Sequence, residues 1–222
     1  DETFLLDLDQ ALPSGAKRSL VSSESRKKVV ILVTKESHCL GDILMKTYDG
    51  SLNIDIAAVV GNYDILQSLT EKFDIPYHHV SHVGLSREQH EEKMLKVIDS
   101  CQADYLILAK YMRVLTPDFV KKYHHKIINI HHSFLPAFIG AKPYQQAYDR
   151  GVKIIGATAH FVTNDLDEGP IIKQDVIPVD HNFSAADMAQ AGRDVEKNIL
   201  SRAINKVVND HVFVYGNKTV IL

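Results

Sequence analysis

The sequence predicts an α/β protein with a mostly parallel sheet and helices on both of its faces. Short, β-branched apolar runs without polar alternation, such as "VVILVTK" at 29–35 and "DYLILAK" at 104–110, are typical of strands that are covered on both faces. Helical patterns separate these runs, which is the repeat of a parallel sheet. After residue 150 the pattern changes to two strands, a long helix and a closing hairpin.

Each element follows from a local signal in the chain. Apolar or β-branched runs predict strands at 29–35, 54–61, 77–80, 104–110, 126–132, 154–162 and 170–179. Helical spacing and capping residues predict helices at 39–48, 63–73 and 86–100, after Thr116-Pro117, at 143–149 and after Ser184. In the last helix an apolar stripe of Val195, Ile199, Ala203 and Val207 indicates a face that covers the sheet or an oligomer interface. The final hairpin is predicted to turn at Gly216-Asn217.

Composition excludes several classes of protein. The net charge of −3 over 222 residues argues against a nucleic-acid or anionic-lipid partner. The longest apolar run is too short to span a bilayer, and two cysteines fit a reducing cytoplasm. Because residue 1 is Asp rather than Met, we expect residues 1–27 to be the remnant of an upstream regulatory domain plus a linker. Residues 28–222 are then the catalytic domain.

The segment "INIHH" at 128–132 carries the chemistry. Asn129 and His131 are two residues apart on a strand, so both side chains leave the same face at its end, where ligands of such sheets bind. An amide donor beside an imidazole suits acyl transfer, since the amide stabilises an oxyanion and the imidazole moves a proton. The acidic loop "DLDEGP" at 165–170 offers the missing carboxylate. Asp167 is preferred there to Asp165 and Glu168, although spacing alone leaves the choice open.

"INIHHSFLPAF", "GATAHFV" and "DLDEGPII" together resemble the motifs of the folate-dependent formyltransferase family. The resemblance covers about residues 28–222. It implies a Rossmann-like fold, 10-formyltetrahydrofolate as the substrate and a catalytic trio of Asn129, His131 and Asp167. It also implies two folate-binding segments, which comprise Met112, Arg113, Val114, Leu115, Val162, Thr163, Asn164 and Asp165. Four further residues are expected to contact the catalytic residues rather than the substrate: His132, Ser133, Thr158 and His160.

Within the family, "AKYMRVL" and "AGRDVEKNILSRA" resemble the members that hydrolyse 10-formyltetrahydrofolate to formate and tetrahydrofolate, and in these an N-terminal ACT-type domain is usual. The loop after the first strand, "TKESHC", has no glycine to bind a substrate phosphate, and Glu36 would repel one. The chain also lacks the basic surface that tRNA needs. Water is therefore the expected nucleophile, positioned and deprotonated by Asp167. We further expect the protein to supply formate for purine synthesis and to bind no cofactor permanently. We also expect it to be a homo-oligomer in the cytoplasm.

Other interpretations remain open from sequence alone. Formyl transfer to a small amine and non-catalytic folate sensing are the competing functions, and His131, His160 and Asp167 form a conceivable zinc set. His160 has either a structural or a catalytic role, and Arg113 either binds the glutamate tail of folate or caps a strand. Lys142 and Tyr144 are expected to anchor a loop.

Overall fold

The computed structural model describes residues 2–14, 26–137 and 143–222. Nine strands occur there: β1 (Lys27–Val33), β2 (Ile54–Gly61), β3 (Tyr77–His79), β4 (Tyr105–Ala109), β5 (Ile127–His131), β6 (Ile154–Phe161), β7 (Ile171–Pro178), β8 (Val212–Tyr215) and β9 (Lys218–Ile221). The helices are α1 (Glu2–Ala11), α2 (His38–Tyr48), α3 (Gln67–Glu71), α4 (Arg87–Cys101), α5 (Pro117–Lys122), α6 (Pro143–Arg150) and α7 (Ala185–Val208).

Seven strands form one sheet in the order β3-β2-β1-β4-β5-β6-β7. The first five strands are parallel, whereas β6 is antiparallel to β5 and β7 is antiparallel to β6. The strand order reverses between β1 and β4, which is the switch point at which such sheets bind ligands. The predicted mostly parallel α/β fold is confirmed.

The sheet separates two apolar layers because alternate residues of each strand point to opposite faces. In β1, Val29, Ile31 and Val33 pack on one side with α2 and α7, while Val30 and Leu32 pack on the other side with α4 and α5. The predicted stripe of α7 lies in the first layer, so this helix covers the sheet. None of the described helices is long and apolar enough to cross a membrane.

The helix predicted at 63–73 is wrong in extent, because the structure has only the five residues of α3. Tertiary hydrogen bonds hold the preceding segment out of helical geometry: Asn62 donates its N–H to the Val33 carbonyl, and the Tyr63 carbonyl accepts the Tyr77 hydroxyl. At the other end Asp74 adopts a left-handed conformation with φ 58°, which stops a helix.

The C-terminal hairpin of β8 and β9 turns at Gly216-Asn217, as predicted. Gly216 has φ 58°, a conformation that glycine adopts without steric cost. The expectation that residues 1–27 belong to an upstream domain stays a prediction. In that region the structure describes only helix α1, whose Phe4 and Leu6 side chains are exposed, and residues 12–14 and 26–27.

Candidate active site

The candidate site lies at the carboxyl ends of β4 and β5, beside the switch point. The end of β1 is joined to the segment after β4 by a hydrogen bond of 2.9 Å from the Met112 N–H to the Thr34 hydroxyl. Antiparallel pairing of β5 with β6 sets Asn129 opposite His160 and His131 opposite Thr158. Four polar side chains thus converge on one end of the sheet, two from each strand.

His131 is held by the predicted carboxylate. Its Nδ1 atom lies 3.1 Å from Oδ2 of Asp167, although 36 residues separate the two in sequence. The imidazole is only 6% exposed, and its Nε2 atom has no hydrogen-bond partner among the described residues. Because a buried polar atom without a partner is costly, Nε2 is available for a substrate or water. With Nδ1–H donated to Asp167, Nε2 of the neutral ring is an acceptor.

Asp167 reaches this position through an unusual backbone conformation. Its φ of 58° places it in the left-handed region, which Asp and Asn tolerate better than most residues. Burial raises the pKa of this carboxyl group, but hydrogen bonding, chiefly with His131, outweighs it, so the pKa lies well below its ordinary value. Asp167 is therefore ionised at neutral pH.

Asn129 is oriented by His160. Its Nδ2 atom lies 3.2 Å from Nε2 of His160, and Nδ1 of that ring lies 2.9 Å from the Phe161 carbonyl oxygen. A neutral ring that donates from Nδ1 and accepts at Nε2 satisfies both contacts, which fixes the amide with its N–H₂ group toward His160. One amide hydrogen remains for an oxyanion. The contact with Asn129 favours a positioning role for His160, and the choice between a structural and a catalytic role stays a prediction.

Ser133 and Thr158 brace the loop that follows β5. The Thr158 hydroxyl donates to the Ser133 carbonyl at 2.9 Å and accepts the Leu135 N–H at 3.1 Å, and the Ser133 hydroxyl donates to the Ala137 carbonyl. His132 follows the last residue of β5, and its ring centroid lies 5.2 Å from that of His131. Burial and the nearby Lys110 lower the pKa of His132 to about 4, so this imidazole is neutral.

A cavity of about 450 Å³ opens in front of the trio. Seven of the eight predicted folate-binding residues line it, and Leu166, which the sequence did not single out, lines it too. Asp165 is the exception: its side chain is not part of the lining, and its carbonyl oxygen accepts bonds within the loop. Met112, Val114 and Leu166 are about half exposed, which leaves apolar surface for a flat heteroaromatic ligand.

The zinc alternative finds little support in the geometry. Within the described ranges, the group of potential metal ligands whose donor atoms all lie within 4.8 Å of one another is His38, Cys39 and Glu196, not the set around Asp167. Burial raises the pKa of the Cys39 thiol well above its ordinary value.

A second cluster, which sequence reasoning missed, lies behind His132. Glu196 of α7 is fully buried and is bound by His38, Lys110 and Tyr144. These residues lie far apart in the chain, and no motif links them. Tyr144 lies on α6 and donates its hydroxyl to Glu196 of α7, so the bond that the structure shows joins two helices rather than anchoring a loop. Lys142 lies outside the described residues.

Comparison with known proteins defines the class of protein. A family model described as formyl transferase matches residues 27–204, and the chain therefore belongs to the formyl transferase family. The resemblance inferred from the motifs is confirmed.

The relatives define a narrower group. The chain is 65% identical over its 222 residues to the formyltetrahydrofolate deformylase of Escherichia coli O6:H1, of which it covers 79%. The crystal structure of a formyltetrahydrofolate deformylase from Pseudomonas syringae pv. tomato matches with a TM-score of 0.88 and 47% identity, covering 90% of this chain and 67% of that one. Glycinamide ribonucleotide transformylase 1 from Symbiobacterium toebii matches with a TM-score of 0.86 and 27% identity, covering 95% of this chain and 100% of that one.

Proposed function

We propose that the protein hydrolyses 10-formyltetrahydrofolate to formate and tetrahydrofolate. The observation that carries this proposal is the free, buried Nε2 atom of His131, with Asp167 on the other ring nitrogen and Asn129 beside it. An oriented imidazole and an amide donor that face a cavity are the parts that acyl transfer to water needs. The names of the relatives identify the acyl group as the formyl group of formyltetrahydrofolate.

The proposed reaction begins with a water molecule between Nε2 of His131 and the formyl carbon. Water adds to that carbon while Nε2 takes one of its protons, and the free N–H of Asn129 stabilises the oxyanion, an effect worth about 10²–10³ in rate. The same proton then passes from Nε2 to N10 as the C–N bond breaks. Formate keeps the oxygen of the water, and tetrahydrofolate keeps the proton.

Asp167 has a different part in this scheme from the one expected from sequence. A carboxylate whose pKa is well below the ordinary value is a weak base, which argues against direct deprotonation of water. Its contact with Nδ1 favours a role in fixing the imidazole tautomer and stabilising the imidazolium that forms at the first step.

Several finer expectations belong to this proposal. The folate lies against the segments at 112–115 and 162–166, and Arg113 at the cavity wall binds its glutamate carboxylates. No permanently bound cofactor takes part. The protein acts in the cytoplasm as a homo-oligomer, supplies formate for purine synthesis, and carries in residues 1–27 the end of a regulatory domain and a linker.

The test is incubation of the purified protein with 10-formyltetrahydrofolate alone, in buffer with and without a metal chelator. We expect equal amounts of formate and tetrahydrofolate without any acceptor, and the same rate with the chelator. Turnover only in the presence of an amine would indicate a transferase instead. Tight binding without turnover would indicate a folate sensor, and loss of activity with the chelator would favour zinc.

A further inference from the structure

Outside the catalytic trio, the cluster around Glu196 places two ionised side chains, Glu196 and Lys110, in the interior of the described part of the chain. Oε2 of Glu196 lies 2.8 Å from Nε2 of His38 and 3.1 Å from Nζ of Lys110, and Oε1 accepts the Tyr144 hydroxyl at 2.6 Å. The side chains of Glu196 and Lys110 are 0% and 4% exposed. Glu36 adds a looser contact, at 3.9 Å from Nζ of Lys110.

Four elements supply the members of this cluster. His38 is the first residue of α2, Tyr144 lies on α6 and Glu196 on α7. Lys110 follows β4 with φ 60°, a left-handed conformation that is uncommon for lysine and that occurs here next to the active-site cavity. Gly192, one helical turn before Glu196, leaves room for Tyr144, because a Cβ atom at this position would lie 2.0 Å from the tyrosine hydroxyl oxygen.

Stability alone is a weak reason for such a cluster. Burial raises the pKa of Glu196, but the bonds from His38, Lys110 and Tyr144 lower it to about 2, so the carboxylate stays ionised inside the protein. Buried ion pairs are often no more stable than apolar residues of the same volume, since desolvation offsets the attraction. The position of the cluster beside the active-site cavity points to a functional role instead.

The cluster closes one side of the catalytic cavity. Lys110 and His132 line the cavity, and the His132 ring lies between those of His131 and Tyr144, 5.2 and 6.2 Å away. The two predicted folate segments line the same cavity. A nucleophile larger than water that enters this cavity beside folate meets Lys110 and His132, with Glu196 and Tyr144 packed behind them.

We propose that His38, Lys110, Tyr144 and Glu196 form a plug that fills the place of an amine acceptor and so restricts formyl transfer to water. The inference rests on the proposed hydrolysis and explains why water, rather than an amine, is the nucleophile. The plug occupies the space that an amine would need. An amine would also have to displace the ion pair between Lys110 and Glu196, in which both charges already have partners. The transformylase from Symbiobacterium toebii has the same fold, although its name specifies an acceptor larger than water.

The plug is tested by the fate of the formyl group when water and an amine compete. Wild-type protein and its variants are incubated with 10-formyltetrahydrofolate and glycinamide, a small primary amine, and formate and N-formylglycinamide are both quantified by mass spectrometry. Tyr144→Ala removes one side chain of the plug. Gly192→Ala keeps every side chain of the plug but displaces the tyrosine. Tyr148→Ala is the matched control, one helical turn away on α6 and 47% exposed.

We expect the wild type and Tyr148→Ala to yield formate only. In Tyr144→Ala and Gly192→Ala the ratio of N-formylglycinamide to formate should rise to about 10 to 200 times the detection limit set by the wild type, the range that one pocket contact gives in substrate discrimination. The ratio is internal to each reaction and so does not depend on how much enzyme is folded. If Tyr144→Ala does not fold, Gly192→Ala alone tests the plug, because this variant keeps the ion pairs of Glu196 with His38 and Lys110.

Hydrolysis with an unchanged ratio in both variants would overturn the plug and leave the proposed function intact. Loss of both products from a folded variant would also overturn it, since an element that only excludes acceptors is dispensable for hydrolysis. Failure of the wild type to release formate without glycinamide would instead count against the proposed function itself.

Discussion

At the scale of single residues, the active site depends on which nitrogen of His131 carries the proton. Asp167 accepts from Nδ1, and this leaves Nε2 as the acceptor that faces the cavity. The ring would be unable to take a proton from water if the tautomer were reversed. Asp167 must also sit in a left-handed backbone conformation, so a replacement that tests its charge has to tolerate φ 58°.

Asp167→Asn is the substitution that meets this condition, because asparagine is among the residues that enter the left-handed region most readily. Its amide N–H₂ donates to Nδ1 of His131 and so moves the ring proton to Nε2, which then has no lone pair for water. We expect kcat to fall by about 10³–10⁴-fold with little change in KM, as in other Asp–His pairs. Steady-state kinetics measure both constants, and a loss of less than tenfold would contradict the assigned role.

The site residues that the sequence predicted differ from those that it missed in whether a local pattern or a known motif connects them. Asn129 and His131 are two apart on one strand, and the resemblance to the family supplied Asp167, so all three were accessible from the chain alone. The contact between Glu196 and His38 could not be predicted from the sequence, because 158 residues separate them and neither residue alone differs from an ordinary helix residue. Asp165 was assigned to the folate pocket by the resemblance to the family, but it is absent from the cavity lining, and its carbonyl oxygen accepts bonds within the loop.

At the scale of elements, the C-terminal hairpin supports the loop that carries Asp167. The side chain of Asn217 donates to the carbonyl of Glu168 at 2.9 Å, and the Thr219 hydroxyl donates to the carbonyl of Ile171. Both acceptors lie in or just after the loop between β6 and β7. Within that loop Gly169 approaches the Phe161 carbonyl so closely that a Cβ atom would lie 1.8 Å from its oxygen. The loop is thus positioned from both sides.

Asn217→Ala removes one of these supports without touching the cavity. Because a typical hydrogen bond contributes about 1 kcal/mol, we expect kcat to fall by roughly fivefold while KM changes little. Asn217→Asp should lose as much, since a carboxylate keeps the size but cannot donate to a carbonyl. Lys218→Ala, at the next residue, is the control and should leave both constants unchanged. Equal activity of Asn217→Ala and wild type would remove the hairpin from the catalytic machinery.

The sequence predicted which helices and strands exist better than where each one begins and ends. The predicted strands and the predicted long helix α7 agree with the structure, because their apolar patterns are reinforced by packing. Helix α3 was predicted too long because its start is controlled by bonds to Val33 and Tyr77, which lie in other strands and leave no local signal. Tertiary contacts of this kind override helical propensity.

At the scale of the whole molecule, α7 joins the core to the cluster around Glu196. One stripe packs on the sheet, and Glu196 on the same helix reaches Lys110 beside the active-site cavity. The antiparallel strands β6 and β7 extend the parallel sheet and present the Asp167 loop to the end of β5. Hence the ion pair that closes the cavity is also part of the packing between α7 and the rest of the domain, and its protonation must affect global stability.

The pH dependence of unfolding measures this coupling. Burial raises the pKa of Glu196, but His38, Lys110 and Tyr144 lower it to about 2, below the value near 4.5 of an unfolded chain. A carboxyl group with a lowered folded-state pKa contributes stability that is present above the unfolded pKa and is lost as pH falls through the folded one. That contribution is about 3 kcal/mol above pH 5 and should disappear progressively between about pH 4.5 and 2.

Glu196→Gln removes this titration, so its free energy of unfolding should fall less steeply with acid than that of the wild type, by up to about 1.4 kcal/mol per pH unit. At pH 7 the variant should be less stable by about 3–5 kcal/mol, because it leaves the Lys110 ammonium buried without its anion. Urea unfolding at pH 7, 5, 4 and 3 measures both effects. Glu92→Gln, whose side chain is 72% exposed on α4, is the matched control and should follow the wild type. Parallel curves for Glu196→Gln and the wild type would mean that the carboxylate is not held ionised by its three partners.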